Sequence, residues 1–203
     1  PGIPMAYIEG SYRGHKVIPG IYNITMKLPG NEWKTSVRIK PNPLYQVTDQ
    51  QYREYDEFMS RLEAELTDMH KKVNALYQAQ NQLKGLLDEL RRNPQMSGLV
   101  KEGENLYQKM KAWDEDMVQR KSKAYDDVEN FPNKFTANFL FLINQTESDI
   151  PRVNQPCIDR YNALHAEWEL LNKRFEELAL KELPAFNRKL ADAGVGVIRT
   201  GQF

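Results

Sequence analysis

The chain has 203 residues, enough for one or two domains, and its 28 basic and 28 acidic side chains cancel. That balance argues against a general binder of nucleic-acid backbones, which needs Lys and Arg in excess on one face. One cysteine, Cys157, leaves no internal disulfide, and no apolar run approaches the ~20 residues that span a bilayer.

The opening Pro1-Gly2-Ile3-Pro4 is neither a Met start nor a signal peptide, and the chain reads as a piece from the C-terminal part of a longer protein. Residues 1–45 hold six of the eleven prolines and five of the eleven glycines, which sets them apart from the helical remainder. Within them, residues 21–28 and 33–39 are rich in β-branched and apolar side chains, around the turn sequence Pro29-Gly30-Asn31-Glu32. This pattern predicts a β-hairpin. Tyr22, Ile24, Met26 and Leu28 share one face, opposite Trp33, Thr35, Val37 and Ile39. Shorter strands are expected near residues 5–9 and 15–18. So few strands are marginal alone: they pack on the helices, pair with another chain, or are the remnant of a truncated sandwich. Tyr22, Ile24, Val37 and Ile39 are the expected buried set, packed on the missing sandwich in the parent protein and here touching the helices or a neighbouring chain.

Lys40-Pro41-Asn42-Pro43 breaks the strand, and Thr48 with Gln51 has capping-box spacing. A helix is predicted from there to about Arg92. Its seam is Tyr52, Tyr55, Met59, Leu62, Leu66, Met69, Val73, Leu76, Gln80, Leu83, Leu87 and Leu90, in heptad steps with one polar member. Asn93-Pro94 stops it. The second helix is predicted over residues 97–124, with Leu99, Gly103, Leu106, Met110, Trp113 and Met117 as its seam. A short helix over 132–145 carries Phe135, Phe139, Leu142 and Ile143. The last long helix covers 154–180 through Cys157, Tyr161, Leu164, Trp168, Leu171, Phe175 and Leu178. Pro184 is expected to kink or end it, although Phe186 and Leu190 continue the apolar period. Short links between three long helices predict an antiparallel bundle, with the short helix capping one end.

Chemistry is sparse. His15, His70 and His165 lie far apart and lack a second ligand at metal spacing. Carboxylates such as Glu54, Asp56, Glu57, Glu63, Glu65, Asp114, Glu115, Asp116, Asp126, Asp127 and Glu129 read as a solvated helix face. No nucleophile elbow, phosphate loop or dinucleotide fingerprint occurs. Tyr52, Tyr55, Tyr77, Tyr107, Trp113, Tyr125, Tyr161 and Trp168 read as core and helix-edge contacts, with a sugar-binding groove as the rival reading. No catalytic, cofactor-binding or metal-ligating residue is assigned.

One resemblance covers nearly the whole chain. Gly14-His15-Lys16-Val17-Ile18-Pro19-Gly20-Ile21-Tyr22-Asn23-Ile24-Thr25-Met26 resembles the last strands of the immunoglobulin-like domain of the flagellar hook-capping type. There a Val-x-Pro-Gly-x-Tyr turn leads into an alternating strand. In a group of secreted bacterial proteins, that domain follows a sortilin-like or BNR-repeat β-propeller and precedes a link and a long helix. Here the link is Lys40-Pro41-Asn42-Pro43, where the group often shows Asp-Pro-Arg. Asn130-Phe131-Pro132 and Leu183-Pro184-Ala185-Phe186-Asn187 look like that group's loops and terminal helix. The group is described as glycosyl hydrolases because of the propeller. The resemblance implies a secreted or periplasmic setting, a carbohydrate context and an upstream propeller as partner, and it carries over no catalytic residue.

The sequence therefore predicts a mainly α protein. Residues 1–44 form a β-hairpin that is the remnant of an Ig-like sandwich, and residues 45–203 form a helical bundle. The expected function is a non-catalytic C-terminal accessory or protein-interaction region, with weak self-association through the hairpin. The alternatives are a free-standing coiled-coil adaptor dimerising through the first helix, and a carbohydrate-binding or glycosidase module.

Overall fold

Thr48 starts the longest element. The Gln51 N–H donates to Thr48 Oγ1 (3.2 Å) and the Thr48 N–H donates to Gln51 Oε1 (2.9 Å), the reciprocal capping box that spacing predicts. The computed structural model describes residues 14–123, 125–147, 150–201 and 203. In it, α1 (Asp49–Leu90) runs for 42 residues, roughly 63 Å at ~1.5 Å per residue. Met59, Leu62, Met69, Val73, Leu76, Leu83 and Leu87 are buried along it. Leu66 is only partly buried. Phe58, Ala75 and Ala79 join the core instead. Two columns of helix pack on α1, which widens its buried face beyond a single heptad stripe and leaves Leu66 on the margin.

The second column descends along α1 in two pieces, α2 (Ser97–Met117) and α3 (Phe135–Glu147). Near the top Arg91 of α1 binds Glu104 (3.0 Å), and lower down the Arg120 guanidinium lies 3.7 Å over the Tyr77 ring. The predicted extension of α2 to residue 124 does not form. Val118 leaves the helix in extended conformation, with its side chain buried, and the Thr136 hydroxyl caps the freed Met117 carbonyl (3.0 Å). Helix α3 starts three residues later than predicted, at Phe135, and ends at Glu147. It does not cap an end of the bundle. Its Phe135 stacks on Trp168 and its Phe139 meets Tyr161 edge-on, so it continues the descending column.

The third column ascends. It begins with α4 (Gln155–Glu176), where Asn154 Oδ1 accepts the N–H of the buried Cys157 (2.9 Å). Tyr161 reaches Glu65 and Asn172 reaches Lys72, so α4 runs parallel to α1, as up–down–up connectivity requires. Pro184 does not end this column. A π-helical turn, Glu177–Glu182, carries the chain into α5 (Leu183–Asp192), and the Leu183 N–H bonds back five residues to the Leu178 carbonyl. The wide turn accommodates a proline that has no N–H and whose ring crowds the preceding carbonyls. The buried seam accordingly steps by five from Leu178 to Leu183, then resumes at Phe186 and Leu190. Gly194 (φ +73°) closes α5 as a Schellman motif: the Val195 N–H bonds to Leu190 O (2.8 Å) and the Gly194 N–H to Ala191 O (3.0 Å).

The hairpin forms as β1 (Gly20–Leu28) and β2 (Asn31–Ile39), antiparallel, with Tyr22 opposite Val37, Ile24 opposite Thr35 and Met26 opposite Trp33. Asn31 and Glu32 belong to the strand. The turn is Pro29-Gly30 alone, with Gly30 at φ +82°, the positive φ a type II turn requires after proline. The strand expected over residues 15–18 does not form among the described residues. The strand expected near residues 5–9 lies outside the described residues. The architecture is a three-column helical bundle with a two-stranded ribbon at its N-terminal side.

Candidate functional site

Strand alternation gives the ribbon two unlike faces. One carries Ile24 (51% exposed), Met26 (54%), Leu28 (55%), Trp33 (48%) and Val37 (42%). The other carries Thr25, Lys27, Glu32, Lys34 and Arg38, with Glu32 paired to Lys34 (2.8 Å) and Lys27 (3.7 Å). Of the set expected to be covered by the missing sandwich, Ile24 and Val37 are exposed in this chain, and Tyr22 and Ile39 are half-buried. The bundle leaves this apolar face open: among the described residues two strands form, and a proline-rich link joins them to α1.

The root of the ribbon is ordered by two contacts. The Tyr22 hydroxyl donates to the Ile18 carbonyl four residues upstream (2.7 Å), bridging the Pro19-Gly20 corner. This is the geometry of a tyrosine corner, in which a Tyr near the start of a sandwich strand bonds back to the backbone just before it. Below it, His15 is clasped to α1. Its Nδ1 lies 3.1 Å from Glu63 Oε1 and its Nε2 lies 3.0 Å from Asp56 Oδ1, while its backbone N–H donates to the same Glu63 oxygen (2.8 Å). Both ring nitrogens face carboxylates, which suits an imidazolium with two donors. Burial opposes that charge, but the hydrogen bonds to Asp56 and Glu63 and their negative charges outweigh it, and the His15 pKa is raised. The ring also stands edge-on to Tyr55 (5.8 Å). Tyr55 is itself pushed up to about 12, first by burial and then by Glu147, Glu63 and Asp56, and its buried hydroxyl has no hydrogen-bond partner. Lys16 Nζ donates to the Glu147 carbonyl (3.0 Å) at the end of α3, and Ile18 packs against the core.

The sequence reading missed both contacts. Asp56 and Glu63 sit seven residues apart, on one face of α1, and Tyr22 follows Ile18 across Pro-Gly; those were the available signals. Four carboxylates depart from the solvated face expected of them. Asp114 is buried and bound two-pronged by Arg120, because the chain turns back at Val118 and brings Arg120 over it. Glu65 accepts the Tyr161 hydroxyl (2.6 Å) and contacts His165 (3.2 Å); Tyr161 is pushed up to about 12, first by burial and then by that bond. Asp56 and Glu63 hold His15. The other histidine, His70, has its pKa lowered by burial. Of the candidate sugar-groove aromatics, Tyr52, Tyr55, Trp113, Tyr161 and Trp168 are core residues. The Trp113 indole N–H is satisfied by the Leu171 carbonyl (2.8 Å), and Tyr77 is covered by Arg120.

Among the described residues, no three or more His, Cys, Asp or Glu side chains are placed to hold a metal. No described helix is long and apolar enough to cross a membrane. In the groove between α1 and α2, Arg91 pairs with Asp88 and Glu104. No protein-family model, curated protein or solved structure matches the chain.

Proposed function

We propose that this chain is a non-catalytic accessory region of a secreted β-propeller protein of the glycosyl-hydrolase type, and that it works by binding protein. Its ribbon is a strand pair of an immunoglobulin-like sandwich, and strands of the parent protein outside this chain supply the facing sheet. The bundle braces that sandwich from one side. The observation that carries this reading is the tyrosine corner at Tyr22 combined with the open apolar face of Ile24, Met26, Leu28, Trp33 and Val37. A two-stranded ribbon with one apolar face is marginal in water without a covering layer.

The coiled-coil adaptor reading needs a free seam on α1, and that seam is covered within the chain by the other two columns. The glycosidase reading needs two carboxylates flanking a sugar pocket. The paired carboxylates here are instead engaged by His15, Arg120 and Tyr161.

The test replaces Met26 and Trp33, opposite one another on the apolar face, by Asp. Wild type should associate weakly with itself in sedimentation, and the double variant should sediment as a monomer with an unchanged far-UV spectrum. Association unaffected by the two changes would remove the ribbon as the binding surface. Turnover of chromogenic glycosides that disappears with one carboxylate of this chain would replace the accessory reading with an enzymatic one.

A further inference from the structure

Beyond Gly194 the chain leaves α5 and doubles back as an extended strap between α1 and the α4–α5 column. Two amides hold it. Asn187 of α5 donates from Nδ2 to the Ile198 carbonyl (2.8 Å) and accepts the Ile198 N–H at Oδ1 (2.9 Å). Gln82 of α1 does the same for the next residue: its Nε2 donates to the Arg199 carbonyl (2.8 Å) and its Oε1 accepts the Arg199 N–H (3.0 Å). Each amide therefore satisfies both backbone groups of one residue, as a neighbouring strand would. Between the clamps the Ile198 side chain is buried. At Gly201 the strap passes close to α1: a Cβ there would lie 3.1 Å from Gln78 Oε1, the movable end of an exposed side chain, and 3.7 Å from the Ala75 backbone. The Phe203 ring, itself exposed, meets the buried Phe175 edge-on (5.1 Å).

These contacts divide as they do in peptide-recognition grooves. Main-chain hydrogen bonds hold an extended backbone of any sequence, and separate pockets select side chains. We propose that the groove between α1 and the α4–α5 column is a recognition site for an extended peptide that carries an isoleucine-like apolar side chain at the position of Ile198, and that residues 195–201 are its resident ligand. The floor is built from Ala75, Gln78 and Gln82 of α1 and from Phe175 and Asn187 of the third column. Neither amide contributes to the helix seams, and both are committed to backbone that any extended chain presents. Because the resident peptide is tethered by a short link, its effective concentration is on the order of millimolar. A free peptide at micromolar concentration therefore gains entry only when the resident segment is displaced.

The test uses the full chain and a fluorescent synthetic peptide spanning residues 194–203. Ile198→Asp places a charge in the Ile198 pocket and ejects the strap. The expected result is at least tenfold tighter peptide binding by the Ile198→Asp chain than by wild type. The same peptide carrying Asp at position 198 should not bind. Gln82→Ala and Asn187→Ala added to the Ile198→Asp chain should weaken binding at least tenfold. Where Ile198→Asp lowers the helical melt, Arg199→Pro serves instead, since it removes the N–H that Gln82 accepts and leaves the Ile198 pocket intact. Absence of peptide binding by the opened chain, with its helical melt preserved, overturns the proposal and leaves the strap as ordinary packing. Binding that ignores the position-198 change or the loss of both amides overturns it as well.

Discussion

His15 holds its proton more tightly in the fold because Asp56 and Glu63, two turns apart on α1, reach opposite nitrogens of the same ring. Burial works against the charge and the two carboxylates prevail, so the folded pKa lies above the ordinary 6.5. A raised folded value means that the clasp contributes its full stability below pH 6.5 and loses it as pH rises through the folded pKa. An NMR titration should find His15 titrating above 6.5 and His70, whose pKa burial lowers, below it. Asp56→Asn with Glu63→Gln should bring His15 down. A value for His15 at or below 6.5 in wild type would show that the clasp does not persist in solution. Beyond their seven-residue spacing, nothing in the sequence marks Asp56 or Glu63 among the many acidic residues of α1, since their partner lies 41 and 48 positions away. Tyr22 was equally hidden: the Pro19-Gly20 corner is visible in the sequence, but the bond from the Tyr22 hydroxyl to Ile18 is not.

Helix boundaries were legible wherever they depend on neighbouring residues and illegible wherever they depend on remote ones. Thr48 and Gln51 define the start of α1 by themselves. The end of α2 at Met117 depends on Thr136 taking the Met117 carbonyl and on Val118 finding a buried seat, neither of which periodicity reports. The α1 seam was right in its central members and wrong at Leu66, because a single stripe does not anticipate two partner columns. Leu76, fully enclosed, should cost ~2–5 kcal/mol on change to Ala, the range for buried Leu. Two glycines should respond in opposite directions. A Cβ at Gly85 in α1 meets nothing, and Gly85→Ala should stabilise by ~1 kcal/mol through helix propensity. A Cβ at Gly103 in α2 would come within 2.7 Å of Leu87 and 2.9 Å of the Phe186 ring, both buried, so Gly103→Ala should destabilise, overpacking costing ~1–3 kcal/mol. Urea melts of the three variants check all of this. A gain from Gly103→Ala would mean that α2 and α5 approach less closely than described.

At the scale of the whole molecule, class and element order were readable because short links between long periodic stretches leave few topologies, whereas the path of the short helix was not. A thirteen-residue helix with a continuous apolar run fits an end cap and a second storey equally well, and only its contacts with Tyr161 and Trp168 decide. The ribbon's alternation gave its faces but not its two-residue turn, its register or what would cover them. Deleting residues 1–44 should leave a cooperative helical melt, with a loss no larger than about 3 kcal/mol, the burial of one isoleucine such as Ile18. Loss of the cooperative transition would make the ribbon and its root part of the bundle. The third column, finally, holds one residue more than a continuous α-helix could seat. Each residue turns an α-helix by about 100°, so without the wide turn at Glu177–Glu182 the charged Glu182 would take the inward place of Leu183, and Asn187 would swing away from Ile198. A descendant of this chain that lost one residue between Leu178 and Leu183 would therefore also need to move its strap-holding amide from 187 to a neighbouring position. The surplus residue and that amide are expected to be inherited, or abandoned, together.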